Sequence, residues 1–387
     1  MNQSKFFSTR HSPGTEFRFP LILFLWIIGL AAEGFGAENS PADLHVFGAT
    51  DSIRNIDVEV VYYAPADVQP LADWQERIEY FMCRAEKFHQ REWNGQSTLH
   101  YRISASPFIA SVTRGRFPRD DVNHFYWHII QEVWQSGKIT FQTNAFPILL
   151  VMSDMNFSPS YDDWTRVCDG VGCVYPPPHS QCAGYVKENG EDRPGTRCGG
   201  ARSVFWPEKH IGLGLVTADG WRIPLLGSDC VVYHEGIGHA IGLPHPEPID
   251  NSVMGLAQYV DAIHKTWILE EQKKAMGRRP EPVDHASLFS TFDVAHDPPR
   301  PKSVNTVAVT ASFPCRKRMK SITAEYQTRL REPFRSPGPG RSKTYKGITR
   351  VTWLIPAFPT GESVAYRVRI ETETGEREEI WNYYKIR

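Results

Sequence analysis

The hydrophobic pattern changes period several times along the chain, and each change marks an element. Residues 56–64, IDVEVVYYA, are rich in β-branched and aromatic side chains and read as a strand. Leu71, Trp74, Ile78, Phe81, Ala85 and Phe88 then recur at three- and four-residue spacing, the apolar face of a long helix. A second strand is expected over 97–104, a second helix over 119–135, and a buried strand over 146–154. This alternation predicts a twisted mixed or parallel sheet covered by helices. Short strands follow in ARSVFWP and HIGLGLVT, one of them a sheet edge, before a helix that starts near Ser228. A further helix is expected over 258–275, with Val260, Ile263, Trp267 and Ile268 in the core.

Prolines break the pattern at GRRPEPVDHA and AHDPPRPKS, and beyond them only strand-like runs remain. VNTVAVTASF, SITAEYQTRL, ITRVTWLIPA, SVAYRVRIETETG and REEIWNYYKIR predict a small β-sandwich of immunoglobulin or fibronectin type. Arg367, Arg369, Glu371 and Glu373 alternate with apolar residues there and read as the solvated face of a strand. The 387 residues suffice for two cores, one over 38–297 and the sandwich over 298–387.

The N-terminus has its own layout. Lys5, Arg10 and Arg18 precede the apolar run FPLILFLWIIGLAA, and small residues follow it. The run falls short of the roughly 20 residues that span a bilayer, so residues 1–37 read as an export signal and the mature protein as secreted or otherwise extracytoplasmic, with no stable membrane span. Net charge is −1 over the whole chain. Loss of 1–37 leaves it mildly acidic, which argues against nucleic acid and against a polybasic membrane surface. Export favours disulfides. Cys168, Cys173, Cys182 and Cys198 crowd a Pro- and Gly-rich insertion (168–198) that reads as a stapled loop of unreadable connectivity, with Cys230 a fifth candidate; a second zinc site is the alternative, disfavoured by the lack of a Cys-x-x-Cys pair, and Cys83 and Cys315 read as buried thiols.

The candidate chemistry lies in DCVVYHEGIGHAIGLPHPEP, from Asp229 to Pro248. A catalytic zinc site needs three protein ligands, an open position for water and a carboxylate to take that water's proton. His234, His239 and His245 supply the ligands for one Zn2+ ion, and Glu235 the carboxylate. Gly242 lets the chain turn and return His245 to the metal. His264, His285 and His296 have no motif around them, and Asp229 reads as a cap or loop residue.

HAIGLPH matches the second half of HExxHxxGxxH, and Met254 follows His245 at about the spacing of a Met-turn. In these motifs the chain resembles the metzincin peptidases. The resemblance implies an α+β zincin-like catalytic domain with a twisted mixed sheet and an active-site helix, ahead of the all-β sandwich, which it does not cover. It also implies a Met254 beneath the zinc and, with longer spacing than usual, a Tyr259 able to reach a developing oxyanion. The implied activity is a secreted zinc metallopeptidase acting on protein or peptide, with Glu235 as general base.

One residue too many separates His234 from His239. On an α-helix, residues four apart differ by about 40° in direction and residues five apart by about 140°. Three outcomes stay open. A π-bulge, eased by Gly236 and Gly238, brings the three histidines together, as in the HExxGH motif of the dipeptidyl peptidase III family, which HEGIGH resembles. An unbulged helix instead aligns Glu235 with His239. A lost site leaves an inactive exported homologue that acts as a binding or adhesion protein.

Overall fold

The computed structural model describes residues 43–142, 144–157, 201–222, 224, 227–257 and 261–386. The expected export signal 1–37, the cysteine insertion 168–198, Tyr259 and Val260 lie outside them.

Strand β1 (Asn55–Ala64) is buried over nearly its whole length, as the middle of a parallel sheet with two covered faces must be. β2 (Thr98–Ile103) and β4 (Phe146–Ser153) flank it in parallel, and β3 (Phe108–Ile109) pairs with its end. β5 (Arg202–Trp206) and β6 (Ile211–Val216) complete the order β2-β1-β4-β6-β5. β6 runs parallel to β4, whereas β5 is antiparallel to β6, so the sheet is mixed. Among the described residues β5 pairs on one side only, which makes it the expected edge.

Successive side chains of β1 serve opposite faces. Ile56, Val58, Val60 and Tyr62 enter the core beneath helix α1 (Trp74–Trp93), while Val61 and Tyr63 enter the core beneath α2 (Val122–Gln135). α2 starts later than its pattern suggests because the Asp121 carboxylate accepts the backbone N–H groups of Asn123 and His124 and caps it there. α1 ends at Asn94 in the left-handed conformation, with Gly95 N–H returning to the Gln90 carbonyl.

A second stripe on α1 is charged and equally buried. Arg77, Arg84 and Arg91 recur every seven residues, and each binds a segment distant in sequence. Arg77 donates to the Arg222 carbonyl and to Gln327 Oε1 at 3.1 and 2.8 Å. Arg84 Nε lies 2.7 Å from Asp229 Oδ2, and its Nη2 lies 2.9 Å from His264 Nδ1. Arg91 donates to the carbonyls of His264 and Thr266 and pairs with Glu92.

These clamps explain where the pattern misleads. In place of one helix over 258–275, the described part of that span holds a 3-10 turn (Ile263–Lys265), an extended stretch, and the short helix α4 (Glu270–Ala275). Arg91 captures the His264 carbonyl of the turn and the Thr266 carbonyl of the extended stretch, Glu92 accepts the Ile268 N–H at 3.0 Å, and Val253 N–H bonds the Trp267 carbonyl. Backbone groups that a helix would satisfy internally are bound from outside. Ile263 and Ile268 are buried as expected; Trp267 is 42% exposed.

The C-terminal strands form two sheets. β7 (Asp293–Asp297), β8 (Val307–Pro314), β10 (Arg341–Tyr345) and β11 (Ile348–Ile355) make the order β10-β11-β8-β7, and β9 (Met319–Gln327), β12 (Ser363–Thr372) and β13 (Arg377–Lys385) the order β13-β12-β9. Val309, Ala311, Trp353, Tyr366 and Val368 belong to the core they share. The other face of β12 and β13 is also covered. Ala365, Trp381 and Tyr383 join the core under α1, and Tyr80 stacks on Trp381 at 5.2 Å. Arg367 therefore lies not on a solvated face but 7% exposed, its guanidinium 4.0 Å from the Phe334 ring and paired with Glu76 and Glu325. By these contacts Ala42–Arg387 form one compact unit.

The free thiols differ in setting. Cys230 is buried, Cys83 is partly covered and Cys315 is exposed, which corrects the expectation of two buried thiols. No helix among the described residues is long and apolar enough to cross a membrane.

Candidate metal centre

The segment carrying the histidines begins as an ordinary helix, α3 (Ser228–Tyr233). Its start is fixed by Asp229, whose carboxylate meets Arg84 and also accepts the N–H groups of Cys230 and Ile263. Its end is fixed by Tyr233, whose hydroxyl lies 3.0 Å from His89 Nδ1. From His234 to Gly238 the backbone then widens into a π-turn, followed by a 3-10 turn, His239–Ile241. A π-turn takes up one extra residue per turn, so positions five apart return to the same side. The long spacing is absorbed in this way, and His234 faces His239.

Two packing constraints hold the wide turn. β6 presents glycines to it: a Cβ on Gly214 would lie 2.9 Å from the Glu235 carbonyl oxygen and 3.0 Å from that of Gly236. On the other side Met254 is fully buried, and a Cβ on Gly238 would fall 2.4 Å from its Sδ. The glycine of HEGIGH is thus where the backbone meets the methionine expected beneath the site. Gly242 closes the segment at φ 81°, and Leu243 N–H returns to the Gly238 carbonyl at 2.9 Å.

The three Nε2 atoms converge. They lie 3.0 Å apart for His234 and His239, and 3.1 Å for each of these to His245. Four-coordinate zinc with nitrogens at about 2.1 Å sets them about 3.4 Å apart, so the spacing is close to that of a ligated ion. The opposite ring nitrogens fix the tautomers. His234 Nδ1 donates to the Val253 carbonyl at 2.9 Å, and His239 Nδ1 to the Leu243 carbonyl at 2.7 Å. A neutral ring that donates from Nδ1 keeps a bare lone pair on Nε2.

Burial holds the His234 and His239 rings neutral. It drives His234 well below the usual range, helped by the neighbouring His239 and His245, and lowers His239 to about 4. Two lone pairs at 3.0 Å repel unless a cation stands between them, so the donor set fits a metal ion. His234, His239 and His245 could hold one. Glu235 is not brought into alignment with His239 as the unbulged alternative requires.

Glu235 is 9% exposed. Burial pushes its carboxyl up to about 8, against the opposing pull of the Arg202 charge and the Ser203 backbone N–H. Those two neighbours belong to β5, so the edge strand touches the acid. The sequence expected an edge strand here without linking it to Glu235; the adjacency of β5 to the π-turn arises from the sheet order. A buried carboxyl next to the histidine cluster has the residue type needed to take and return a proton.

The glycine contact is testable through stability. Gly238→Ala forces Met254 aside and should cost about 1–3 kcal/mol in urea unfolding, and combining it with Met254→Ala should cost less than the sum of the single changes. Additive losses would mean that the two do not meet. Glu235 sets a pH dependence in metal-free protein. Between its ordinary value and about 8 the folded state holds a proton that the unfolded state has lost, so stability falls as pH rises through that window. Relative to Glu235→Gln, the wild type should lose on the order of 3 kcal/mol from about pH 5 to about pH 8; parallel curves would contradict the burial.

No protein-family model and no curated protein matches the chain. Among solved structures it is similar to wild-type OgpA from Akkermansia muciniphila, at TM-score 0.32 and 10% identity over 86% of this chain and 94% of that one. It is also similar to the vertebrate-specific Astrotactin-2, at TM-score 0.21 and 7% identity over 25% and 21% of the two chains. A cycloalternan-forming enzyme from Listeria monocytogenes is matched at TM-score 0.21 and 12% identity over 28% and 10%. Scores this low carry no argument about fold or activity.

Proposed function

We propose that the chain is a zinc-dependent, metzincin-like peptidase that hydrolyses peptide bonds with water and forms no covalent intermediate. The observation that supports this most is the convergence of three imidazole Nε2 atoms beside a buried glutamate of raised pKa. The α+β, zincin-like fold class is part of the same reading, supported by the mixed sheet and by Met254 packed under the histidine turn. Export is supported by the N-terminal apolar run.

In this reading His234, His239 and His245 hold the ion, and the carbonyls of Val253 and Leu243 keep two of the rings in the ligating tautomer. The chemistry zinc supplies at such a site is a lowered water pKa and a polarised scissile carbonyl. Glu235 takes the proton of the attacking water and passes it to the leaving amine. β5, unpaired on one side among the described residues, offers a strand edge along which an extended substrate adds by main-chain hydrogen bonds.

The test separates the roles. Purified protein should hold about one zinc ion per chain and cleave a denatured protein substrate. Glu235→Ala should keep the metal and lose at least about 100-fold in kcat, whereas His239→Ala should lose both. Loss of metal from Glu235→Ala would make Glu235 a ligand and remove the proposed base. A wild type that binds no zinc would favour the metal-free binding protein.

A further inference from the structure

The net charge hides a local excess at one end of the C-terminal sandwich. Residues 341–350, RSKTYKGITR, carry four basic side chains and no acidic one. They form the β10–β11 hairpin, every residue of which is exposed except the half-buried Thr349. Arg341, Lys343 and Tyr345 share one face of β10 and lie opposite Thr352, Arg350 and Ile348 of β11. The neighbouring Val351 and Trp353 point into the core, so this face is the outer one.

Lys343 and Arg350 are direct cross-strand partners. Like charges in that position destabilise a hairpin unless something neutralises them. Arg341, Lys343, Lys346 and Arg350 make no ion pair among the described residues, although nearby Lys317 and Lys320 pair with Glu376 and Glu371. The β8–β9 turn lies at the same end, beside the acidic Glu373, whose N–H bonds the Arg318 carbonyl. Cys315 N–H bonds the Gly347 carbonyl at 2.9 Å, which brings Arg316 and Arg318 to the same end. At the tip the cross-strand pair is apolar: Tyr345 is 62% exposed and Ile348 38%. Leu354, 52% exposed, lies farther along the same face.

We infer that this hairpin end docks on the surface of an anionic phospholipid bilayer, with Tyr345 and Ile348 entering the interface and Lys343, Arg350, Lys346 and Arg341 meeting the headgroup phosphates. The layering favours a bilayer over a soluble polyanion. A charged polymer is matched by basic groups alone, whereas a membrane interface presents negative charge over an apolar layer, and here an apolar tip is backed by a basic collar. Lysine and arginine stems also lie along apolar surface while their heads stay with phosphate. The near-neutral composition argued against a polybasic membrane surface; it averages out a segregation that the hairpin register creates. The docking is peripheral and needs no membrane-spanning helix.

Co-sedimentation of the full chain with vesicles tests this, using phosphatidylcholine alone or with about 30% phosphatidylserine. Any contribution of the N-terminal apolar run is common to all variants. Above that common background the wild type should partition more strongly onto the anionic vesicles, and this excess should weaken at least tenfold when salt rises from about 0.1 to about 0.5 M. Lys343→Glu with Arg350→Glu should weaken partition at least tenfold. Tyr345→Ser with Ile348→Ser should weaken it about fivefold and leave the salt dependence in place. All of these side chains are exposed, and unchanged circular dichroism and melting confirm folding. Equal partition of wild type and both double variants overturns the inference, as does retention on heparin without binding to vesicles.

Discussion

Everything the site can do depends on one backbone event, the widening of a helix by a single residue between His234 and His239. A regular helix would point these rings apart. The π-turn does not stand alone, because a widened turn has weaker internal hydrogen bonding and needs support from its neighbours. Strand β6 supplies it by offering hydrogen atoms where side chains would stand, so that the Glu235 and Gly236 carbonyls approach closely. Met254 supplies it from below by filling the space that Gly238 leaves. The carbonyls of Val253 and Leu243 then set the tautomers. Geometry, packing and protonation state all follow from the same insertion.

A second constraint ties this segment to the rest of the molecule. The arginines of α1 are buried, and a buried charge must be paired and hydrogen-bonded. Arg84 meets Asp229 at the start of α3, Arg91 holds the stretch after the Met254 turn, and Arg77 reaches Gln327 of the C-terminal sheet. One helix thereby fixes both ends of the histidine segment and the sandwich beside it. The C-terminal strands are bound in turn through Trp381 and Arg367, whose rings and charges cover α1.

Much of this was legible in the residues. Strong periodicity located β1, α1, β4 and the C-terminal strands, because a buried face imposes its period on the sequence. Glu235, His234, His239 and His245 stood out by residue type and spacing, and the glycines around them marked the site of the widening. What was illegible had a common cause. The clamp of Arg91 and Glu92 on 263–268 is a tertiary contact, and it overrides the local helical pattern. The alternating charges of β12 look solvated in one dimension and become an ion-pair layer once α1 covers them. The contact of Glu235 with Arg202 and Ser203 depends on which strand ends the sheet. Net charge concealed the basic hairpin because its counter-charges lie elsewhere.

If three imidazoles surround one cation, X-ray absorption at the zinc edge reads that shell directly. On zinc-loaded protein it should show a four-coordinate ion with three imidazole nitrogens at about 2.0–2.1 Å and one oxygen. A shell with sulfur, a shell with fewer than three imidazoles, or a protein that retains no zinc would contradict the account.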